Sequence, residues 1–243
     1  MRLLVTRPRE DAEPLAEALR AIGVEPVLAP LMTIEPVQGA KADLTGVQAL
    51  LFTSANGVRA FARLSAERAL PVLAVGDATA RVAAATGFTG IESAGGDASD
   101  LAALAERRLD PTAGALFHAA GRDVAGPMKT ALEARGFDVR RKALYRAEPV
   151  RTFPVAADEL RQKRIDGALL FSPRTAKSFV SLAESAGLVA TMSNLYAYCL
   201  SVAVAERIAH VQWRNVRVAS EPTQAALLEC IAADLDPPTG PQR

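Results

Sequence analysis

The stretch Leu15-Ala-Glu-Ala-Leu-Arg-Ala-Ile-Gly23 returns as Met128-Lys-Thr-Ala-Leu-Glu-Ala-Arg-Gly136, displaced by 113 residues. The displacement holds without a gap on both sides: Pro14 corresponds to Pro127, and Glu35-Pro36-Val37 to Glu148-Pro149-Val150. A strand, a helix and a second strand have been copied together with the segment that leaves them, which marks an internal duplication. Further along, Leu50-Leu51-Phe52-Thr53-Ser54 matches Leu169-Leu170-Phe171-Ser172, and the segment from Ala94 to Leu104 matches that from Ala219 to Leu228. Both halves are built from the same alphabet of strand and helix.

Short apolar runs at Leu3–Thr6, Pro26–Ala29, Ala49–Thr53, Val72–Val75, Ala115–His118, Val139–Leu144, Ala168–Phe171, Tyr196–Leu200 and Val216–Ala219 alternate with stretches of helical period. The runs are apolar throughout, as expected of parallel strands covered by helices on both faces. Roughly ten strands then divide into two doubly wound, flavodoxin-like parallel-sheet α/β domains. Helix starts are read at Ser54 and Asn56, at Asp77, at Ser99, at Ser172-Pro173 and at Glu221-Pro222-Thr223, because these side chains cap helices and Pro suits a first turn. The periodicity allows two consecutive domains, 1–113 and 114–243, or one domain inserted in the other. The equivalent exits Met32–Val37 and Tyr145–Val150 each combine extended residues with a Pro, and read as the two strands of a hinge.

Of 243 residues, half are apolar, while 28 Lys plus Arg nearly balance 27 Asp plus Glu. A chain this size buries one large core or two modest ones. Its balance supplies no global field for nucleic acid or an anionic membrane, so any anion must be held locally. Cys199 and Cys230 lie in apolar runs and read as buried thiols of a reducing compartment. The first residues lack the apolar core of a signal peptide, and the apolar stretch from Leu195 to Ala205 is too short to cross a bilayer. A cytoplasmic location is expected. His118 and His210 stand at no zinc-ligand spacing from the cysteines, so no metal is expected.

In open parallel sheets ligands collect beyond the carboxyl ends of the strands, where the amides of the next helix point outward. The polar residues gather there: Thr6-Arg7, Thr53-Ser54-Ala55-Asn56-Gly57, Gly76-Asp77-Ala78-Thr79, Ser93 to Ser99 with Gly95-Gly96, then Gly121-Arg122, Ser172-Pro173-Arg174-Thr175, Ser201, and Ser220 to Thr223. Hydroxyls, glycines and helix N-termini can bind several carboxylates without many lysines. The same residues also serve as plain caps and turns, and Arg7 and Arg122 fit a solvated rim as well as a ligand site. A phosphate loop, a GxGxxG after the first strand and a G-x-S-x-G elbow are all lacking. A tandem receiver would need acidic residues where Thr6-Arg7 and Thr53-Ser54 stand.

Taken in order, Leu4-Val-Thr-Arg-Pro8, Phe52-Thr-Ser-Ala-Asn-Gly-Val58, Ala74-Val-Gly-Asp-Ala-Thr79, Gly121-Arg122, Ala143-Leu-Tyr-Arg146 and Phe171-Ser-Pro173 resemble the uroporphyrinogen-III synthase family, from residue 1 to about residue 231. The resemblance implies the inserted arrangement. Residues 1–33 and 152–243 would form the terminal domain, 38–144 the inserted one, and 34–37 with 145–151 a two-stranded linker. It implies closure of the linear tetrapyrrole hydroxymethylbilane with loss of water, through an azafulvenium cation and a spiro-pyrrolenine, and with inversion of ring D. No cofactor is implied, and the task is largely positioning of an octacarboxylate. Tyr145 would be the catalytic phenol, assisting departure of the hydroxyl; packed at the hinge it would be only an amphipathic tyrosine. Substrate binding would fall to Thr6, Arg7, Ser54, Asn56, Gly76, Thr79, Arg122, Ser172, Arg174, Ser201, Val202 and Thr223.

The chain departs from the family at Leu200-Ser201-Val202-Ala203-Val204, where the family has a glycine and a threonine starting the helix. Val204 supplies no hydroxyl, so contacts there would come from the amides of Ser201 and Val202. The competing reading is a non-catalytic, two-lobed sensor of a small anion. A monomer is expected, and a transient association with the preceding pathway enzyme, which would shelter an unstable substrate, is compatible with the sequence. The tail Asp236–Arg243 is expected to be disordered.

Overall fold

The structure is a computed structural model and describes residues 1–122, 128–153 and 156–235. Along the chain run β1 (Arg2–Val5), α1 (Arg9–Ala21), β2 (Glu25–Leu28), β3 (Met32–Pro36), β4 (Val47–Phe52), α2 (Ala55–Leu64), β5 (Val72–Ala74), α3 (Asp77–Ala85), β6 (Ile91–Ser93), α4 (Ala98–Arg108), β7 (Ala115–Gly121), α5 (Met128–Glu133) and β8 (Val139–Pro149). They are followed by α6 (Ala157–Arg161), β9 (Gly167–Leu170), α7 (Pro173–Ser185), α8 (Val189–Met192), β10 (Tyr196–Cys199), α9 (Val202–Ala205), β11 (Asn215–Val218) and α10 (Gln224–Leu235). The chain divides into two compact units, one of residues 1–33 and 148–243, the other of residues 34–147.

The first unit holds a parallel sheet in the order β11-β10-β9-β1-β2. Successive residues of β1 point to opposite faces: Leu4 packs with Phe179 and Trp213, while Leu3 and Val5 pack with Leu15, Leu19 and Ile231. Covering both faces explains why the strand reads as an unbroken apolar run. The second unit repeats the plan. Its strands lie β8-β7-β4-β5-β6 with β3 beyond β8. The duplication equates β7 with β1, β8 with β2, and β4, β5, β6 with β9, β10, β11, so equivalent strands occupy the same spatial order. The α/β reading with two doubly wound parallel sheets is borne out. The strand β6 was absent from the sequence reading, because Ile91 alone is apolar among its three residues.

The copied helix ends show how literally local sequence sets local structure. Gly23 and Gly136 sit at φ +79° and +87°, a region glycine enters without a Cβ penalty. Beyond each, a backbone N–H reaches back over the helix end, Val24 to the Leu19 carbonyl and Phe137 to that of Leu132. Both helices thus close their last carbonyls by the same device. Pro127 and the tail 236–243 lie outside the described residues, and so does the expectation that the tail is disordered.

Strands β3 and β8 pair antiparallel. The Val37 N–H bonds the Leu144 carbonyl at 2.9 Å, and the Val150 N–H bonds that of Leu31 at 3.0 Å, partner numbers rising on one strand as they fall on the other. Tyr145 therefore lies inside a strand of the second unit. The caps refine the helix starts read from the sequence. Ser54 caps α2, with Asn56 already inside the helix; α3 does begin at Asp77, but its cap position is Gly76; and Asp97 rather than Ser99 caps α4, in a reciprocal box with Asp100.

Candidate functional site

Doubly wound sheets open a crevice where neighbouring strands send their following helices to opposite faces. In the second unit that point lies between β7 and β4: α5 packs with Leu116 and Leu51, while α2 packs with Phe52 and Phe117. The chain leaving β4 is Thr53-Ser54, while β7 ends at Gly121 and is left by Arg122. Ser54 is extended, at φ −162°, and its Oγ accepts the Gly57 N–H at 3.1 Å as the α2 cap. The same Oγ lies 2.8 Å from the Tyr145 hydroxyl. One Ser side chain therefore fixes a helix start and a phenol together.

Tyr145 is only 5 % exposed. Its ring fits because position 121 is glycine: a Cβ there would stand 3.0 Å from Tyr145 Cζ. Burial raises its pKa, offset in part by the Ser54 hydrogen bond and the Arg141 charge, so the phenol keeps its proton at neutral pH. The duplication makes this arrangement single, since the copy of Tyr145 is Met32 and Ser172 Oγ pairs instead with Thr175 Oγ1 at 2.8 Å. The Arg122 N–H donates to the Tyr145 carbonyl at 2.8 Å, which sets the Arg122 backbone beside the tyrosine. Gly121→Ala should push the ring off Ser54 and lower activity with the fold retained. Unchanged activity, with a circular dichroism spectrum like wild type, would show that the close approach is unimportant.

On the other face of the same sheet, His118 Nε2 lies 3.0 Å from Thr53 Oγ1, and Nδ1 has no partner among the described residues. His118 is 4 % exposed, and burial, with the nearby Arg141 charge, pushes its imidazole down to about 4 from 6.5. The folded state binds this proton less readily than the unfolded chain does. The contribution is therefore fully present above about pH 6.5 and is lost as pH falls towards about 4, a change of about 3 kcal/mol. The urea midpoint of the wild type should fall through that window more steeply than that of His118→Gln; parallel profiles would remove His118 as the cause.

The remaining residues of the second unit divide. Asn56 Oδ1 accepts from Arg59 Nη1 at 3.0 Å. Thr79 is a correction: its side chain is buried on α3, because the helix turns that position inward toward the sheet. Gly76 stays at the rim. The Gly95-Gly96 loop is a turn and not an anion nest, since the Gly95 N–H goes to Ser93 Oγ, the Asp97 N–H goes to Asp100 Oδ2, and carboxylates crowd it.

In the first unit the equivalent point lies between β1 and β9. Thr6 is again a correction: it is fully buried and donates to the Leu169 carbonyl at 2.6 Å, tying β1 to β9 instead of facing a ligand. Arg7 lies over the Phe171 ring at 4.6 Å and reaches Gln224 Oε1 at 3.3 Å. Ser172 caps α7 by accepting the Thr175 N–H at 3.1 Å, with exposed Arg174 in the first turn. Thr223 Oγ1 accepts the Ala226 N–H at 3.2 Å at the start of α10. Ser201 precedes α9 without a side-chain cap bond, and Val202 is 64 % exposed at that rim.

The described residues contain no cluster of His, Cys, Asp or Glu able to hold a metal, and no helix long and apolar enough to cross a membrane. Two features escaped the sequence reading. The function of Gly121 as room for a ring is visible only in three dimensions, and Arg146 had entered only as the end of a motif. A signal for the latter existed: the duplication places Thr33 where the second copy has Arg146.

Among solved structures, the chain is similar to the uroporphyrinogen-III synthetase of Helicobacter pylori, with a TM-score of 0.60 and 16 % identity over 97 % of this chain and 100 % of that one. It is also similar to a mutant uroporphyrinogen III synthase of Thermus thermophilus, with a TM-score of 0.53 and 18 % identity over 97 % and 99 % of the two chains. At such identities these likenesses speak for the fold. No curated protein sequence matches the chain. The family model described as uroporphyrinogen-III synthase HemD matches residues 13–229, nearly the whole chain. With that match added to the ordered motifs and the shared fold, the chain belongs to the uroporphyrinogen-III synthase family.

Proposed function

We propose that this chain is a uroporphyrinogen-III synthase and a cyclising hydro-lyase, closing hydroxymethylbilane to uroporphyrinogen III with loss of water and inversion of ring D. The observation that carries the chemistry is the Tyr145 hydroxyl held 2.8 Å from Ser54 Oγ at the switch point of a doubly wound sheet. A phenol whose pKa is raised by burial stays protonated and can donate to the departing hydroxyl. When Ser54 donates to the phenol oxygen, the phenolic proton is left to point at a ligand.

The C–O bond of the hydroxymethyl group then breaks, the oxygen leaves as water with the phenolic proton, and the azafulvenium cation attacks the substituted α-carbon of ring D. Fragmentation of the spiro-pyrrolenine and reclosure release one proton, which restores the phenol. Arg7, Arg122, Arg174, Ser172 and Thr223, together with rim amides at Gly76, Ser201 and Val202, bind carboxylates, while Asn56 and Ser54 order the start of α2. The reading needs no cofactor, takes a linear tetrapyrrole as its small-molecule partner, and has the protein act as a monomer.

The test is to supply freshly generated hydroxymethylbilane, oxidise the product and separate the I and III porphyrin isomers. A dominant III isomer is expected. The I isomer alone, which forms without catalysis, would overturn the reading and leave an anion-binding protein.

A further inference from the structure

A cavity of about 560 Å³ in the second unit is lined by Glu35, Pro36, Val37, Gln38, Arg122 and Arg146. Its volume is within the range of small-ligand sites, and its charges are arranged in a row. Gly121, the last residue of β7, registers with Tyr145 on β8, so Arg122 just past the strand end and Arg146 on β8 each follow a paired residue and line the same cavity. Like charges brought close together at the end of a strand pair disfavour the folded state unless an anion lies between them. Among the described residues that line the cavity the carboxylate is that of Glu35 on β3, which accepts from Arg146 Nε at 2.9 Å and from its Nη2. Both contacts fall on Oε2, so the pair lacks the fork geometry in which each oxygen takes its own N–H. Arg146 and Glu35 are each more than two-fifths exposed, so solvent and ligand can reach the pair.

We propose that this cavity is a carboxylate subsite: Arg122 and Arg146 together take one carboxylate of the tetrapyrrole, and Glu35 is the internal counterion that Arg146 exchanges for it. The inference rests on the synthase reading and adds a residue pair, Arg146 and Glu35, to it. Glu35 serves the empty site by lowering the cost of two adjacent cations. It opposes binding, because the incoming carboxylate must compete with it. A site so balanced binds anions reversibly, which suits an enzyme that must release a product bearing the same carboxylates as its substrate.

The experiment titrates the protein with uroporphyrin III, the stable oxidised product with its carboxylates intact, following porphyrin fluorescence, and measures KM and kcat for each variant. Arg146→Gln and Arg122→Gln should each weaken binding about tenfold, the size of one charge-assisted contact, and should raise KM with kcat nearly kept. Glu35→Gln should tighten binding, an outcome no merely structural role for the ion pair would produce. Arg108→Gln, which breaks an exposed ion pair with Glu92 elsewhere in the unit, should change nothing. Wild-type affinity in Arg146→Gln, or weakening in Glu35→Gln equal to that in Arg146→Gln, would overturn the subsite. The III isomer made by wild-type protein is read separately, so loss of the synthase reading and loss of the subsite are told apart.

Discussion

Tyr145→Phe is expected to lower kcat about a hundredfold while leaving KM and the circular dichroism spectrum close to wild type. The substitution removes one oxygen and keeps the ring that lies over Gly121, so packing in the second unit is retained. What is lost is the proton donor, and a positioned general acid contributes on the order of 10²–10⁴-fold. Ser54 keeps its other task, accepting the Gly57 N–H, so α2 still starts where it did. Single-turnover formation of the III isomer measures the effect without interference from product release. A rate within twofold of wild type would remove Tyr145 from the chemistry. Ser54→Ala separates the two functions of that serine: it costs the α2 cap, about 1 kcal/mol, and leaves the phenol in place without its partner. Its activity should fall less than that of Tyr145→Phe.

Phe61→Ala is expected to destabilise the second unit by about 3–5 kcal/mol, a large share of the stability of a domain this size. Phe61 is fully buried on α2, and its ring meets those of Phe52 at 5.8 Å, Phe117 at 5.8 Å and Phe88 at 6.1 Å. No neighbouring side chain can close the space, because β4 and β7 fix the backbones beneath Phe52 and Phe117. The measurement is a urea titration with two probes. Circular dichroism follows the whole chain, while Trp213, its one tryptophan, reports the first unit. The circular dichroism midpoint should fall, with the Trp213 transition moving less. A loss below about 1 kcal/mol would show that this aromatic cluster adapts to truncation.

Both predictions involve α2, one through the Ser54 cap that meets Tyr145 and the other through Phe61, and they show what could be read in the chain beforehand. The phrase Phe52-Thr53-Ser54 announces a strand end and a cap because both are local. A buried strand needs apolar residues in succession, and an orphan helix amide needs an oxygen at the right backbone angle. The same logic made Ser172-Pro173 legible, and its cap bond has the same 3.1 Å length as that of Ser54. The copied glycines, Gly23 and Gly136, end their helices alike for the same reason. The motifs that place the chain in its family are likewise linear.

Which way a side chain points at a strand end is another matter. Thr6 and Ser54 both follow a strand in the sequence, yet Thr6 turns inward to the Leu169 carbonyl and Ser54 lies at the rim beside Tyr145. The difference depends on the face a residue takes at the edge of the pleat and on the neighbour across it, and neither is encoded within a few residues. Thr79 shows the same for a helix, whose inward face is chosen by the sheet it covers.

Sequence alone therefore determined the duplication, the two doubly wound sheets, the principal caps and the family, because each depends on periodicity or on bonds closed within one turn. Tertiary structure alone decided that Gly121 makes room for a phenol, that His118 meets Thr53, and that Glu35, Arg146 and Arg122 stand in one row. Those arrangements join residues 24 to 111 positions apart, and only strand pairing and register bring such residues together.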